Sequence, residues 1–525
     1  MSEAPILKDT TRSTGREALQ KNIQAAMALA EAIRSTLGPK GLDKLLIDDE
    51  GRTLVTNDGV TVLETAKVEH PVAKMMINTS STQDRIAKDG TTSTVILAGE
   101  MLQNAWQLIL QGIHPSTIAR GYRKSEQYLL QCISEIKFDS DDKMKSSVVK
   151  TSLAGKGHSS MQETIARVSL DAVQMVADID STIDISKIKL VSQTGGKVED
   201  SKVFRGLMIP KKRISSDMHR EVNRGKIILI DGGLEKSNVA TDLKLNVTTV
   251  GVLESFRQEE RNMLKRQVDN LVEHGVTVLA CRESIDDEIK NYLSENGIQA
   301  FRRVARSDLN MLARVCDATL VNSVDSLTSN DLGSFIVSKN TTIEGKDFWI
   351  VEGDGKAATI IAKASTVDVV GEVERCFDDS LGVSVQLVEN GSVVCGGGAS
   401  YVALARRLRR YAETIPGREQ LAVEAYADAI EVIVRVLAEN AGIDPITTLL
   451  DVVAKQTNTN SDYIGIDLST GAPSDMVKLG ILEPEGIVKQ AIIGATEVAI
   501  SILRIDDVLW AKQEMQMPDM PDDEM

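Results

Sequence analysis

Between residues 16 and 37 apolar side chains fall at Leu19, Ile23, Met27, Ala30, Ile33 and Leu37. That three-and-four spacing predicts an amphipathic helix, which Gly38-Pro39 stops. Residues 94–113 and 423–440 also read as helix, the second closed by Gly442 and Pro445. The middle of the chain differs. Short β-rich runs at 226–231, 276–281 and 318–321 alternate with helical stretches at 259–274 and 286–295, which predicts a parallel α/β layer. Helical ends around an α/β centre fit either three domains in a row or one helical domain interrupted by an insertion, and periodicity leaves both open. Mixed strand and turn signals at 146–212 and 358–394 suit hinge modules. The Met-, Pro- and Asp-rich tail at 513–525 is expected to be disordered.

Length agrees with this division: 525 residues exceed one ordinary core and suggest roughly three domains. Hydrophobic residues at 42% and charged residues at 26% are those of a soluble globular protein. Aromatics are only 3%, so the cores must be Ala, Val, Ile and Leu, and base stacking has little to work with. A net charge of −16 repels a phosphate backbone, so no nucleic-acid partner is expected. The five cysteines are odd in number, dispersed and never in a CxxC pair, which points to a reducing compartment. The polar N-terminus lacks a signal-peptide core and no apolar run reads as membrane-spanning, so a cytoplasmic protein without a membrane partner is expected.

Four segments join glycine to a nearby carboxylate or hydroxyl, the vocabulary of a phosphate and Mg²⁺ site. They are Thr36-Leu37-Gly38-Pro39-Lys40-Gly41, Thr56-Asn57-Asp58-Gly59, Asp89-Gly90-Thr91-Thr92-Ser93 and Gly396-Gly397-Gly398. None is a Walker A loop. Singly, each has a plain structural reading: Asp89 as a helix N-cap, Asn57-Asp58-Gly59 as a hairpin turn, the glycine triplet as a connector, Asp378-Asp379 as a solvated pair. The five histidines are scattered without ligand spacing, and Lys211-Lys212-Arg213 reads as a solvated loop.

As an ordered set the chain resembles the group II chaperonins, the archaeal thermosome and its eukaryotic cytosolic relatives, over nearly its whole length. The resemblance is also carried by Thr151-Ser152-Leu153 with Gly155-Lys156-Gly157, Asp379 after Glu374-Arg375, Ala438-Glu439-Asn440-Ala441-Gly442 and Leu503-Arg504-Ile505-Asp506-Asp507. It implies a multi-domain fold: a mainly α-helical equatorial ATP and ring-contact domain at 1–145 and 395–525, an α+β intermediate hinge domain at 146–212 and 358–394, and an α/β apical substrate-binding domain at 213–357. A helical protrusion near 235–270 would act as a built-in lid.

The same resemblance implies ATP and Mg²⁺ as cofactors, identical or paralogous subunits in stacked rings, and unfolded client proteins. Leu37, Gly38, Pro39, Gly90, Thr91, Thr92 and Ser93 would hold the nucleotide phosphates, and Asp89 would coordinate Mg²⁺. Asp58 and Asp379 would orient and activate the attacking water. Lys156 would sense the γ-phosphate, and Gly397 and Glu483 would lie against ribose and base. With carboxylates on separate domains, hinge closure would couple hydrolysis to movement.

The chain departs from the family pattern at Lys88, where glycine is usual, at Ala362-Lys363-Ala364-Ser365 for Ile-Arg-Gly-Gly, at Val434 for proline and at Tyr401 for glutamate. The tail also lacks Gly-Gly-Met repeats. Lys88 could clash with the phosphate loop, point outward or neutralise phosphate. Three functional readings follow: an ATP-driven foldase, an ATPase-impaired structural or client-binding subunit of a mixed ring, and a small-molecule kinase.

Overall fold

A computed structural model describes residues 10–47, 51, 53–66, 68–177, 183–235, 250–343 and 345–511. The chain is mostly helical with several sheets and forms two compact units: Met1–Gly157 with Asn390–Met525, and His158–Glu389. Both ends of the chain thus build one unit, and the middle is an insertion rather than a bead in a row.

In the first unit the helix Thr91–Leu110 is apolar nearly all round and buried along its length, from Thr94 and Val95 to Met101, Leu102 and Ala105. Such a helix is stable only when wrapped by others, and here Gly15–Arg34, Pro71–Ala87, Glu419–Ile430 and Glu485–Leu503 pack on it. Close approach needs small residues: a Cβ at Gly99 would stand 2.6 Å from that of Ala30. Glu485–Leu503, with 19 residues, is long and apolar enough to cross a membrane, which corrects the expectation that no such run exists. It is a core helix, with Val488, Ala491, Ile492, Ala495 and Ala499 buried among its neighbours.

Helix ends also shift. The first predicted helix stops at Arg34, with Ser35 as its C-cap, leaving Leu37 in the following loop. The span 423–440 is two helices, Glu419–Ile430 and Val432–Asn440. The break falls at Glu431, whose buried carboxylate is gripped by both terminal nitrogens of Arg409 at 2.5 and 2.7 Å.

The second unit carries a seven-stranded sheet in the order Gln299–Phe301, Val276–Cys281, Glu221–Ile230, Gly333–Ile343, Lys346–Glu352, Leu207–Ile209, with Leu320–Val321 paired off this path to Glu221–Ile230. The sheet is mixed, not parallel as expected. Val276–Cys281 and its neighbours pair in parallel, whereas Gly333–Ile343 and Lys346–Glu352, close in sequence, pair antiparallel with Ile343 opposite Lys346. Separate apolar clusters cover its two faces, one around Leu264, Val268 and Leu293, the other around Phe301, Leu312 and Trp349. A second sheet joins Ile188–Thr194, Ala358–Ala364 and Lys202–Arg205. Of the expected protrusion, 236–249 lie outside the described residues and Val250–Glu273 is one helix. The tail at 513–525 also lies outside them.

Candidate functional site

A cavity of about 750 Å³ opens in the first unit, lined by residues from segments far apart in sequence. Leu37, Gly38, Pro39, Asp58, Asp89, Gly90, Thr91, Thr92, Ser93, Lys156, Gly397 and Glu483 all face it. Asp379 is carried by the helix Val367–Asn390 of the second unit.

The floor is the start of Thr91–Leu110. Gly90, not Asp89, is its N-cap, at φ 77°, so the N-cap reading of Asp89 does not hold. The Asp89 carboxylate instead accepts from the Gly90 N–H at 2.6 Å. Thr91 and Thr92 occupy the first helical turn, where unpaired N–H groups and the helix dipole favour an anion. Burial pushes the Asp89 carboxyl above its ordinary range, opposed by the nearby charge of Lys156 and reinforced by Asp58 and Asp84.

Asp58 is not in a hairpin turn either. The preceding hairpin, Lys44–Ile47 with Thr53–Thr56, is already closed, and Asp58 caps the helix Gly59–Thr65. Its Oδ2 accepts from the Thr61 N–H at 2.9 Å and the Thr61 hydroxyl at 2.6 Å, which fixes the carboxylate plane. A Cβ at Gly59 would stand 2.4 Å from Thr92 Oγ1, so glycine allows the Asp58 loop to lie directly on the floor.

Asn440 Nδ2 donates to the carbonyls of Arg34 and Leu37 at 3.1 and 2.9 Å and so holds the Leu37-Gly38-Pro39 loop. The loop carrying Lys156 packs on it, since a Cβ at Gly155 would be 3.4 Å from the Gly38 carbonyl oxygen. On the opposite wall the glycine triplet is ordered backbone, not a loose connector. Gly396 N–H donates to the Ile481 carbonyl, and Gly397 C=O accepts from Ile466 N–H, both at 3.0 Å. Glu483 lies on the strand Leu482–Pro484, opposite Val394. Desolvation, with Asp89's charge, pushes its carboxyl up to about 8, so it is mainly neutral at pH 7.

Two residues were not singled out as site residues from sequence. Tyr401, 3% exposed, lines the cavity, and its phenol is pushed far up by burial and then by Glu483 and Asp89. Gln83 is buried beneath Asp89. A departure after the glycine triplet was the only signal for Tyr401, and Gln83 stood only at the start of the stretch Gln83-Asp84-Arg85-Ile86-Ala87-Lys88-Asp89, where the family has acidic residues before its Asp-Gly-Thr-Thr segment. Lys88, by contrast, is the half-buried, left-handed C-cap of Pro71–Ala87 and is not among the lining residues.

The site therefore offers hard oxygen donors, a lysine, a helix N-terminus and apolar walls from Leu437, Ile466 and Ile481, a set suited to a phosphorylated ligand with a planar end. A profile of the TCP-1/cpn60 chaperonin family matches residues 29–513. The chain is 43% identical to a thermosome subunit of Methanopyrus kandleri over 96% of this chain and 93% of that protein. It is 41% identical to a thermosome subunit of Pyrococcus horikoshii, over 97% and 94% of the two chains. Against thermosome subunit beta of Thermoplasma acidophilum the identity is 41%, over 97% and 95%.

Proposed function

The chain belongs to the TCP-1/cpn60 chaperonin family, and on that premise we propose that it is a group II chaperonin subunit whose first-unit cavity binds and hydrolyses ATP to drive a folding chamber. The observation that carries this reading is the convergence of the glycine and carboxylate segments on one cavity large enough for a nucleotide.

The residues present fit Mg²⁺. Among the described residues no cluster of three or more metal-ligating side chains exists, which suits an ion held by one or two carboxylates and by substrate phosphates. Asp89 would hold it, its carboxylate lining the cavity beside the first turn of Thr91–Leu110. When bound, Mg²⁺ supplies charge neutralisation at the transferring phosphoryl group.

The protein's own groups do the rest. The N–H groups at Thr91 and Thr92 and the ammonium of Lys156 bind phosphate oxygens, with Gly90 lining the loop beside them. Gly38 lets backbone approach closely, because a Cβ there would collide with Leu437 at 2.4 Å. Neutral Glu483 and Gly397 meet ribose and base. Asp58, immobilised by Thr61, orients the attacking water, and Asp379 is its proposed partner in activating it.

The domain assignment we propose keeps the equatorial, intermediate and apical divisions given above. The separate small sheet of Ile188–Thr194, Ala358–Ala364 and Lys202–Arg205 supports an intermediate module. Assembly with identical or paralogous subunits in rings, with unfolded proteins as clients, follows from the family. It is supported by a two-stranded hairpin exposing Leu45, Ile47 and Val55, since an isolated hairpin is marginal in water. Five buried free thiols support a cytoplasmic, reducing location.

That Lys88 is not among the cavity-lining residues supports an active subunit over an ATPase-impaired one. Mg²⁺-dependent ATP turnover by size-fractionated protein tests the proposal: activity should run with a particle of many subunits and fall at least about 100-fold in Asp379→Ala. A large particle without turnover, or turnover unaffected by that substitution, would overturn it.

A further inference from the structure

Gln83 fills the inside of the corner between Pro71–Ala87 and Thr91–Leu110 and is 1% exposed. Its Nε2 donates to the Asp89 carbonyl at 2.8 Å and to the Ile487 carbonyl at 3.4 Å. Ile487 lines the cavity near the start of Glu485–Leu503, just past Glu483. A single amide therefore ties the loop bearing Asp89 to the wall bearing Glu483.

The packing around that amide is tight. A Cβ on Gly90 would lie 3.0 Å from Nε2 and 2.8 Å from Ile487 Cγ2, so the corner closes only around glycine. Gln83 Oε1, by contrast, is buried and has no hydrogen-bond partner among the described residues. A side chain needed only for volume would be better apolar, because an orphaned buried acceptor is destabilising. What glutamine adds over methionine or leucine is its pair of donors, and these are spent on the two backbone segments. The Asp89 carboxylate is bonded locally, to the N–H of the next residue, Gly90, so its direction follows how firmly its own backbone is held.

We propose that Gln83 is a positioning residue for the cation and phosphate site, fixing Asp89 against the nucleotide wall through its side-chain amide. The inference rests on the ATP-binding reading above. It assigns Gln83 no contact with nucleotide or metal: its effect passes through the Asp89 backbone, as supporting bonds behind metal ligands do elsewhere.

The test is a Mg²⁺ titration of fluorescent ATP-analogue binding by the assembled particle, with thermal midpoints measured in parallel. Gln83→Met, close in volume and lacking both donors, should raise half-saturating Mg²⁺ about 10-fold whichever way the midpoint moves, since relief of the orphan acceptor and loss of the two bonds oppose each other. A simple packing role leaves Mg²⁺ dependence within about twofold of the parent whatever the midpoint, and that result overturns the proposal. Gln83→Leu serves the same comparison if the methionine variant does not assemble. A parent that shows no Mg²⁺-dependent binding refutes the ATP reading itself. A parent that binds, an Asp89→Asn variant that does not, and an unchanged Gln83→Met refute this inference alone.

Discussion

Lys88 extends its ammonium back along its own helix to Asp84, 3.8 Å away, while its backbone holds φ 57° at the helix end. The side chain thus leaves the phosphate loop clear, and the cost of replacing glycine is confined to a left-handed backbone, roughly 1 kcal/mol for a residue with a Cβ. Lys88→Gly should therefore raise stability by about 0–1 kcal/mol, part of the relief being offset by the freedom glycine gains on unfolding. ATP turnover should stay within about twofold of the parent. A rise of tenfold or more would mean that Lys88 restrains the phosphate loop after all.

Asp58 combines two roles that substitution can separate. As N-cap it satisfies the Thr61 N–H, and as a carboxylate it faces the cavity. Asn caps nearly as well as Asp, whereas Ala costs about 1 kcal/mol at such a position. Asp58→Asn should keep the unfolding midpoint of the parent yet lose at least about 100-fold in turnover, and Asp58→Ala should lose both. Equal turnover in Asp58→Asn and parent would reduce this residue to a cap.

Glu483 makes stability depend on pH in a defined direction. Its folded-state carboxyl titrates near 8, above the ordinary 4.5, so the folded chain retains a proton that the unfolded chain releases. Stability from this group is complete below about 4.5, declines as pH rises, and is gone above about 8. Glu483→Gln keeps a neutral polar group and should flatten the loss between pH 5 and 9 by at least about 1 kcal/mol, one pKa unit's worth. Urea midpoints of nucleotide-free protein at both pH values check it. Parallel losses in parent and variant would show that Glu483 is not the titrating group, leaving Asp89, whose carboxyl is also raised, as the source.

How far these features could be read in advance differs by residue. The helix Thr91–Leu110 was legible because its apolar run follows Gly90, and the strand Val276–Cys281 because its apolar run is bounded by Gly275. The cavity-lining glycines were legible only as an ordered set. Alone, Asn57-Asp58-Gly59 suits a turn, and nothing local reveals that the hairpin has ended at Thr56. The break at Glu431 depends on Arg409, 22 residues earlier, and the mixed sheet on strand pairing across the unit. Gln83 and Tyr401 were hidden for the same reason: a buried polar group takes its role from partners that only the fold supplies.

The exposed hairpin gives the last expectation. Leu45 is 63% exposed and Ile47 66%, beside Val55 at 55%. Three large apolar side chains on a sheet with no third strand among the described residues are a poor solution for a free surface, and another subunit covering them would remove the apolar area from water. Leu45→Lys with Ile47→Lys should then shift the particle to smaller species in light scattering, with far-ultraviolet circular dichroism unchanged, since neither side chain belongs to the core around Thr91–Leu110. ATP binding by the dissociated subunit should persist, because neither residue lines the cavity. Retention of full particle mass in the double variant would place the subunit contact elsewhere on the first unit.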